Sequence, residues 1–265
     1  MTLSITFLAV VVAVAAAVRS TWSPCGLSML STITPMAERS RGRNWWATAT
    51  WFLLGATVGG ALLGAPAALL AAVVGATGAS TATLLGVATA LGVLAVALDL
   101  GLAGTTMPHH RRQVDEQWLD QFRSWVYGAG FGVQIGTGLA TYIMTAAVYL
   151  TVALAALTGR PWTALAICTL FGSVRGLAIF LGVRLDEPVR VALFHFRFEE
   201  IGPTVRRVVI AVQALVATAA ASAAGGVPAG IGVAAACAVL ALVATRLDAD
   251  ARPTSTGREP AVAEA

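Results

Sequence analysis

The sequence predicts an all-α polytopic membrane protein with an inverted 3+3 transmembrane helix repeat plus a seventh helix, N-terminus outside and C-terminus cytoplasmic. Three observations carry that expectation. Of 265 residues, 57% are hydrophobic and only 11% charged, with a mean hydropathy of +0.80, whereas a soluble domain carries about 25% charged residues. Apolar stretches of about 20 residues recur along the chain, the length that crosses a hydrocarbon core of about 30 Å. Lysine is absent, and the arginines collect in alternate loops.

Taken in order, the apolar windows place helices at 3–36 with a break, 45–64, 81–104, 125–157, 162–183, 205–225 and 228–246. The first 18 residues lack a positive n-region and run straight into a polar stretch rather than a cleavage site, so they read as the start of the first span. As one straight helix, 3–36 would be about 50 Å long, well beyond the hydrocarbon core, so a bend is expected. Residues 65–76 read as an extension of the second helix or a surface-lying piece. Residues 1–246 form a single transmembrane domain, with repeat units about 1–104 and 124–225 and an extra helix at 228–246. A disordered cytoplasmic tail is expected over 247–265.

The arginines set the orientation. Fourteen fall in the connections after the first, third and fifth helices and in the tail, and the alternate connections hold only Arg160. Positive charge marks the cytoplasmic side, so the chain is assigned to the cytoplasmic (inner) membrane as a multi-pass protein. The net charge of +4 reflects these loops and implies no nucleic acid. The repeat emerges when "RNWWATATWFLLGATVGGA", 43–61, is set against "RPWTALAICTLFGSVRGLA", 160–178. Arg43, Trp45, Gly55 and Gly59 then match Arg160, Trp162, Gly172 and Gly176. In an inverted arrangement the first helix of each unit is interrupted, because unwound backbone at the midplane offers amides and carbonyls to a substrate.

Both first helices carry such interruptions. "SPCG" holds Ser23, Pro24, Cys25 and Gly26, and "YGAGFGVQIGTG" holds Gly128, Gly130, Gly132, Gln134, Gly136, Thr137 and Gly138. Pro24 removes a backbone donor, which favours local unwinding and an accessible Cys25. Gly55 and Gly59, by contrast, read as close-packing positions. Arg175 sits mid-span, where an arginine faces a partner, an aqueous cavity or an anionic substrate. The depth of Arg19 depends on where the first helix bends. Asp99, near the cytoplasmic end of the third helix, snorkels or pairs with an arginine. The three cysteines are too few and too separated for a disulfide framework, and no Cys/His cluster has zinc spacing, so no metal or cofactor is expected. Cys168 reads as a small core residue or a redox partner, and Cys237 as inert. His109 and His110 fall in a basic interfacial loop, 108–125, and "FHFRFEE", 194–200, reads as an amphipathic surface segment.

With Ser23-Pro24-Cys25 in a broken first helix and paired three-helix units, the chain resembles the CcdA and DsbD-type membrane electron carriers. That resemblance implies transfer of reducing equivalents across the membrane by thiol-disulfide exchange, as in cytochrome c biogenesis, with a thioredoxin-like protein as partner. The family uses one cysteine in the first helix of each unit. Cys25 matches the first, but Thr137 stands at or beside the second, and a relay within one chain needs two thiols. Cys168 would have to resolve the disulfide. The wider superfamily includes LysE-type exporters, so a second expectation is a transporter of a small anion or zwitterion. Its small-molecule substrate would sit against Ser23, Pro24, Gly26, Gln134, Thr137, Gly138 and Arg175. Membrane lipid surrounds the chain in either case.

Overall fold

A computed structural model describes residues 2–102, 121–138 and 143–250, and all regular structure among them is helical. Helix α1 (Thr2–Ser20) is Leu-, Val- and Ala-rich and buries Ile5, Leu8, Ala9, Val12, Ala13 and Ala16 at the three- and four-residue spacing of one helical face. It ends in a turn at Thr21, Trp22 and Ser23. Helix α2 (Pro24–Thr32) then starts at 62° to α1. Capping chemistry dictates the break: the Ser23 hydroxyl accepts the Gly26 N–H at 3.2 Å, and Pro24 takes the first helical position, where no donor is needed. The same device recurs at helix α3 (Pro35–Ser40), where Thr34 accepts from the Ala37 N–H at 3.1 Å.

Helix α4 (Trp45–Ala76) is capped by Asn44, whose side chain accepts the Trp46 N–H at 3.0 Å. It runs unbroken through Pro66, so 65–76 is the helix extension rather than a surface piece. Its 32 residues span about 48 Å, more than a hydrocarbon core. Helix α5 (Thr81–Asp99) follows, capped by Ser80. Then come α6 (Ser124–Thr137), α7 (Ala147–Leu157), α8 (Pro161–Leu177) with a 3-10 extension (Ala178–Arg184), and α9 (Pro188–Asp250).

The interruption expected within the helix over 125–157 is present, at its glycine-rich end: α6 stops where Gly138 turns to φ +66°, and α7 begins at Ala147. Gly128, Gly130, Gly132 and Gly136 lie inside α6 as ordinary helix, so the glycine cluster itself is not unwound. The expected helix at 205–225 starts instead at Pro188, and 194–200 is one continuous helical stretch whose Phe198 is buried and stacked on Trp22 at 4.2 Å. Within α9, Gly226 adopts φ +77°, and Gly230 comes to lie against Ser222 and Thr218, so the chain doubles back there. Residues 247–250 still belong to α9, against the expectation of a tail disordered from 247. The rest of that tail, together with His109, His110 and most of the 108–125 loop, lies outside the described residues.

Among the described residues four helices are long and apolar enough to cross a membrane: α4, α5, α8 with its 3-10 extension, and α9; the bent α1–α2 pair makes a fifth if counted as one span. The expected seven separate spans hold only at this coarser level, because α6 and α7 have 14 and 11 residues; the last two expected spans lie on the two arms of α9, either side of Gly226.

Helix α4 is the spine. A methyl group on Gly55 would strike the Ala129 carbonyl of α6, and one on Gly60 the Cys168 carbonyl of α8. In return, methyl groups on Gly132 and Gly172 would land on the Phe52 and Ala56 carbonyl oxygens of α4. Small residues therefore let three backbones meet directly, the close-packing mode favoured in lipid, where apolar burial gives helices no drive to associate. Gly55 and Gly59 pack as expected, and Gly128, Gly132 and Gly136 of α6 do the same rather than opening the helix. On either side lie two side-chain cores, an alanine-rich one shared by α1, α7 and α8 and an aromatic one around Trp45, Phe52, Tyr127 and Phe131.

Candidate functional site

Helix breaks leave carbonyls without partners at one end and N–H groups at the other, and those ends carry partial negative and positive charge. Buried charged side chains stand at these ends. Arg175 of α8 is only 2% exposed and donates to the Ile135 carbonyl at 2.7 Å and, more weakly, to the Ser20 carbonyl at 3.5 Å and the Ser23 hydroxyl at 3.4 Å. Ser20 is the last residue of α1 and Ile135 lies in the last turn of α6. One guanidinium thus holds the C-terminal ends of both broken helices.

Cys25, just past the α1–α2 break, lies close enough for its thiol to interact electrostatically with that guanidinium. The thiol is nevertheless buried, at 2% exposure, because α2 resumes at once after Pro24. The expectation of an accessible Cys25 is therefore incorrect. Gly26 supplies the N–H for the Ser23 cap and permits close approach to the Thr21 carbonyl. On α6, the Thr137 hydroxyl donates back to the Gln134 carbonyl at 2.8 Å, Gln134 is half-buried, and Gly138 ends the helix. Cys168 is fully buried two turns before Arg175 in the α1–α7–α8 core. None of Cys25, Cys168 and Cys237 is in a disulfide. Among the described residues no cluster of His, Cys, Asp and Glu could hold a metal ion.

A second centre stands at the start of α7. Asp99 accepts the Thr145 hydroxyl at 2.5 Å, the Ala146 N–H at 2.7 Å and the Gln213 side-chain amide at 2.7 Å. Its carboxylate therefore faces the positive end of α7, while Arg206 donates to its backbone carbonyl at 2.7 Å. Arg19, at the end of α1, lies within the field of both Asp99 and Arg206. Asp99 thus neither snorkels nor forms a simple ion pair.

The third centre was not legible in the sequence. Glu38 is fully buried, accepts from the Tyr127 hydroxyl at 2.5 Å and from Thr48 at 2.6 Å, and lies 3.6 Å from the Arg41 guanidinium. Arg43 sits over the Tyr127 ring, 5.3 Å from its centroid. The centre ties α3 to α4 and α6. The one available signal was a single acid, Glu38, among the arginines of the first connection.

The fold and these centres define a class: an all-helical protein with several membrane-length helices, in which interrupted helices are held end to end by buried charges. Its relatives narrow this further. The chain is 32% identical over 207 residues to the methylamine utilization protein MauF of Methylophilus methylotrophus, covering 74% of this chain and 70% of that one. It is 30% identical over 189 residues to MauF of Paracoccus denitrificans, covering 71% and 68%. It is also 31% identical over 161 residues to MauF of Paracoccus versutus, where it spans only 59% of that protein's length. The chain belongs to the MauF family of methylamine utilization proteins. No protein-family model and no solved structure matches it.

This finding overturns the resemblance to CcdA and DsbD-type carriers and to LysE-type exporters, and with it both expected functions, thiol-disulfide electron transfer and small-solute transport. The shared Ser-Pro-Cys motif is three residues long, and here it serves as a helix cap over a buried thiol. The thioredoxin-like partner, the transported small molecule and the link to cytochrome c biogenesis lose their basis together.

Proposed function

We propose that this chain is a multi-pass protein of the cytoplasmic membrane that serves methylamine utilization, and that its interrupted helices form a fixed framework rather than a moving one. The observation that carries this reading is the 32% identity over 207 residues to the Methylophilus methylotrophus protein. The arginine asymmetry supports an outside N-terminus and a cytoplasmic C-terminus. Breaks at corresponding places, after α1 and after α6, support two related three-helix units of opposite orientation. Ser23, Pro24, Gly26, Thr137, Gly138 and Arg175 are the proposed core of that framework. Pro24 and Gly138 set the interruptions, Ser23 caps one of them, and Arg175 complements both exposed helix ends.

A deletion strain of the source organism, grown on methylamine and on an unmethylated carbon and nitrogen source, tests the proposal. Loss of growth on methylamine alone, restored by the wild-type gene, is expected. Arg175→Gln keeps one donor group but loses the charge and the fork, which places its cost at about 1.5–3 kcal/mol for the strongest hydrogen bond alone. Its abundance in membranes is expected to fall, and growth on methylamine with it. Undiminished growth of the deletion strain on methylamine overturns the reading.

A further inference from the structure

Where the 3-10 extension of α8 meets the start of α9, a groove of about 400 Å³ opens to the surface. Its floor is apolar, with Leu181, Leu185, Leu193, Phe194 and Ile201, and its rim carries Arg184, Arg190 and Arg197. The arginines are not equivalent. Arg190 is neutralised by the turn just before α9, 3.0 Å from Asp186 and 3.7 Å from Glu187. Arg184 and Arg197 are exposed and have no carboxylate partner among the described residues. Glu199 and Glu200 follow on α9 but are not among the lining residues. At about 100° per residue, Glu199 points to roughly the opposite side of the helix from Arg197, while Glu200, one turn on, shares its side but makes no ion pair with it within 4 Å. Beneath the groove the wall is rigid: Phe198 stacks on Trp22, whose indole donates to the Phe198 carbonyl at 2.7 Å.

We infer that this groove binds one anionic phospholipid of the cytoplasmic leaflet, its phosphate between Arg184 and Arg197 and an acyl chain along Leu181, Leu185, Phe194 and Ile201. The inference rests on the proposed membrane orientation, which puts this basic connection on the cytoplasmic side. Charge complementarity selects the occupant. An apolar floor alone would accept any lipid, but two uncompensated guanidinium groups at its rim favour a headgroup with net negative charge. A free phosphate would leave the apolar floor exposed, and a zwitterionic lipid would bring a second cation to the arginines.

Full-length protein purified in detergent and reconstituted into nanodiscs of mixed phosphatidylglycerol and phosphatidylcholine provides the test, with lipid retained after re-extraction counted by native mass spectrometry. Retention of one phosphatidylglycerol in preference to phosphatidylcholine is expected. At about 1 kcal/mol per arginine near a charged surface, Arg184→Gln with Arg197→Gln should lower that preference about 30-fold, and Arg190→Gln should leave it within about twofold. Millimolar inorganic phosphate should not displace the lipid. Equal retention of both lipids by the wild type, or an unchanged preference in the double variant with a normal melting profile, overturns the site. Displacement by inorganic phosphate overturns the lipid as occupant. Sidedness reporters fused at Gly78 and at the C-terminus separate this from the orientation reading: a chain that reports a cytoplasmic C-terminus but shows no lipid preference loses only the groove.

Discussion

Replacing Glu38 with alanine removes the acceptor that two helices share, and the structure lets the consequence be divided. A hydrogen bond to a charged group contributes about 1.5–3 kcal/mol. Two hydroxyls, from Tyr127 and Thr48, donate to this carboxylate. Thr48 has a fallback, since its hydroxyl also lies 3.4 Å from the Asn44 carbonyl. Tyr127 is fully buried, and its hydroxyl is left with only the Thr48 hydroxyl beside it as an acceptor. Arg41 is 27% exposed and turns to water, so its ion pair adds little. The expected loss is therefore about 3–4 kcal/mol. Tyr127→Phe alone should cost about 1.5–3 kcal/mol, because Glu38 keeps Thr48 and Arg41. The double variant should be no worse than Glu38→Ala, which makes the coupling comparable to the cost of Tyr127→Phe. Thermal unfolding in detergent, followed with a thiol-reactive fluorophore, reads this directly, since all three cysteines are buried until the chain opens. Additive losses in the double variant, or a wild-type midpoint for Glu38→Ala, would refute the reasoning.

The remaining predictions concern packing and thiols. Gly172→Ala should cost at least about 1–3 kcal/mol by forcing α8 off the Ala56 carbonyl, whereas Gly86→Ala, with open space around it, should be neutral or stabilising by up to about 1 kcal/mol in the same melt. Maleimide labelling of the folded protein should be slow at both Cys25 and Cys168, and should accelerate only with unfolding. Rapid native labelling of Cys25 would show that the α1–α2 break opens to solvent.

The helical class and the first break were legible because each rests on local chemistry. Apolar length announces a spanning helix, and Ser-Pro announces a capped restart. Arg175 was legible as an anomaly, but its partners were not. They are backbone carbonyls of Ser20 and Ile135, and no sequence pattern distinguishes a carbonyl that a break has left exposed. The glycines of α6 misled for a related reason. Glycine serves both unwinding and close approach, and only the opposing α4 backbone decides which. Glu38 and Tyr127 are 89 positions apart, and each alone reads as a loop acid and an interfacial aromatic. The three-residue Ser-Pro-Cys motif carried more functional weight than so short a match can bear, whereas similarity spread over 207 residues identifies the family.

The glycine-lined spine also sets an order of assembly. Helix α4 is synthesised well before either helix that covers it, and about a hundred residues separate its end from the end of α8, on the order of 5–20 s of translation. During that interval its bare backbone faces lipid or whatever insertion machinery shelters it. The α1–α2 corner waits longer still for its guanidinium, because Ser20 precedes Arg175 by 155 positions. Nascent chains halted before Arg175 should therefore hold their first two membrane segments loosely, and release from the insertion site should coincide with the emergence of α8.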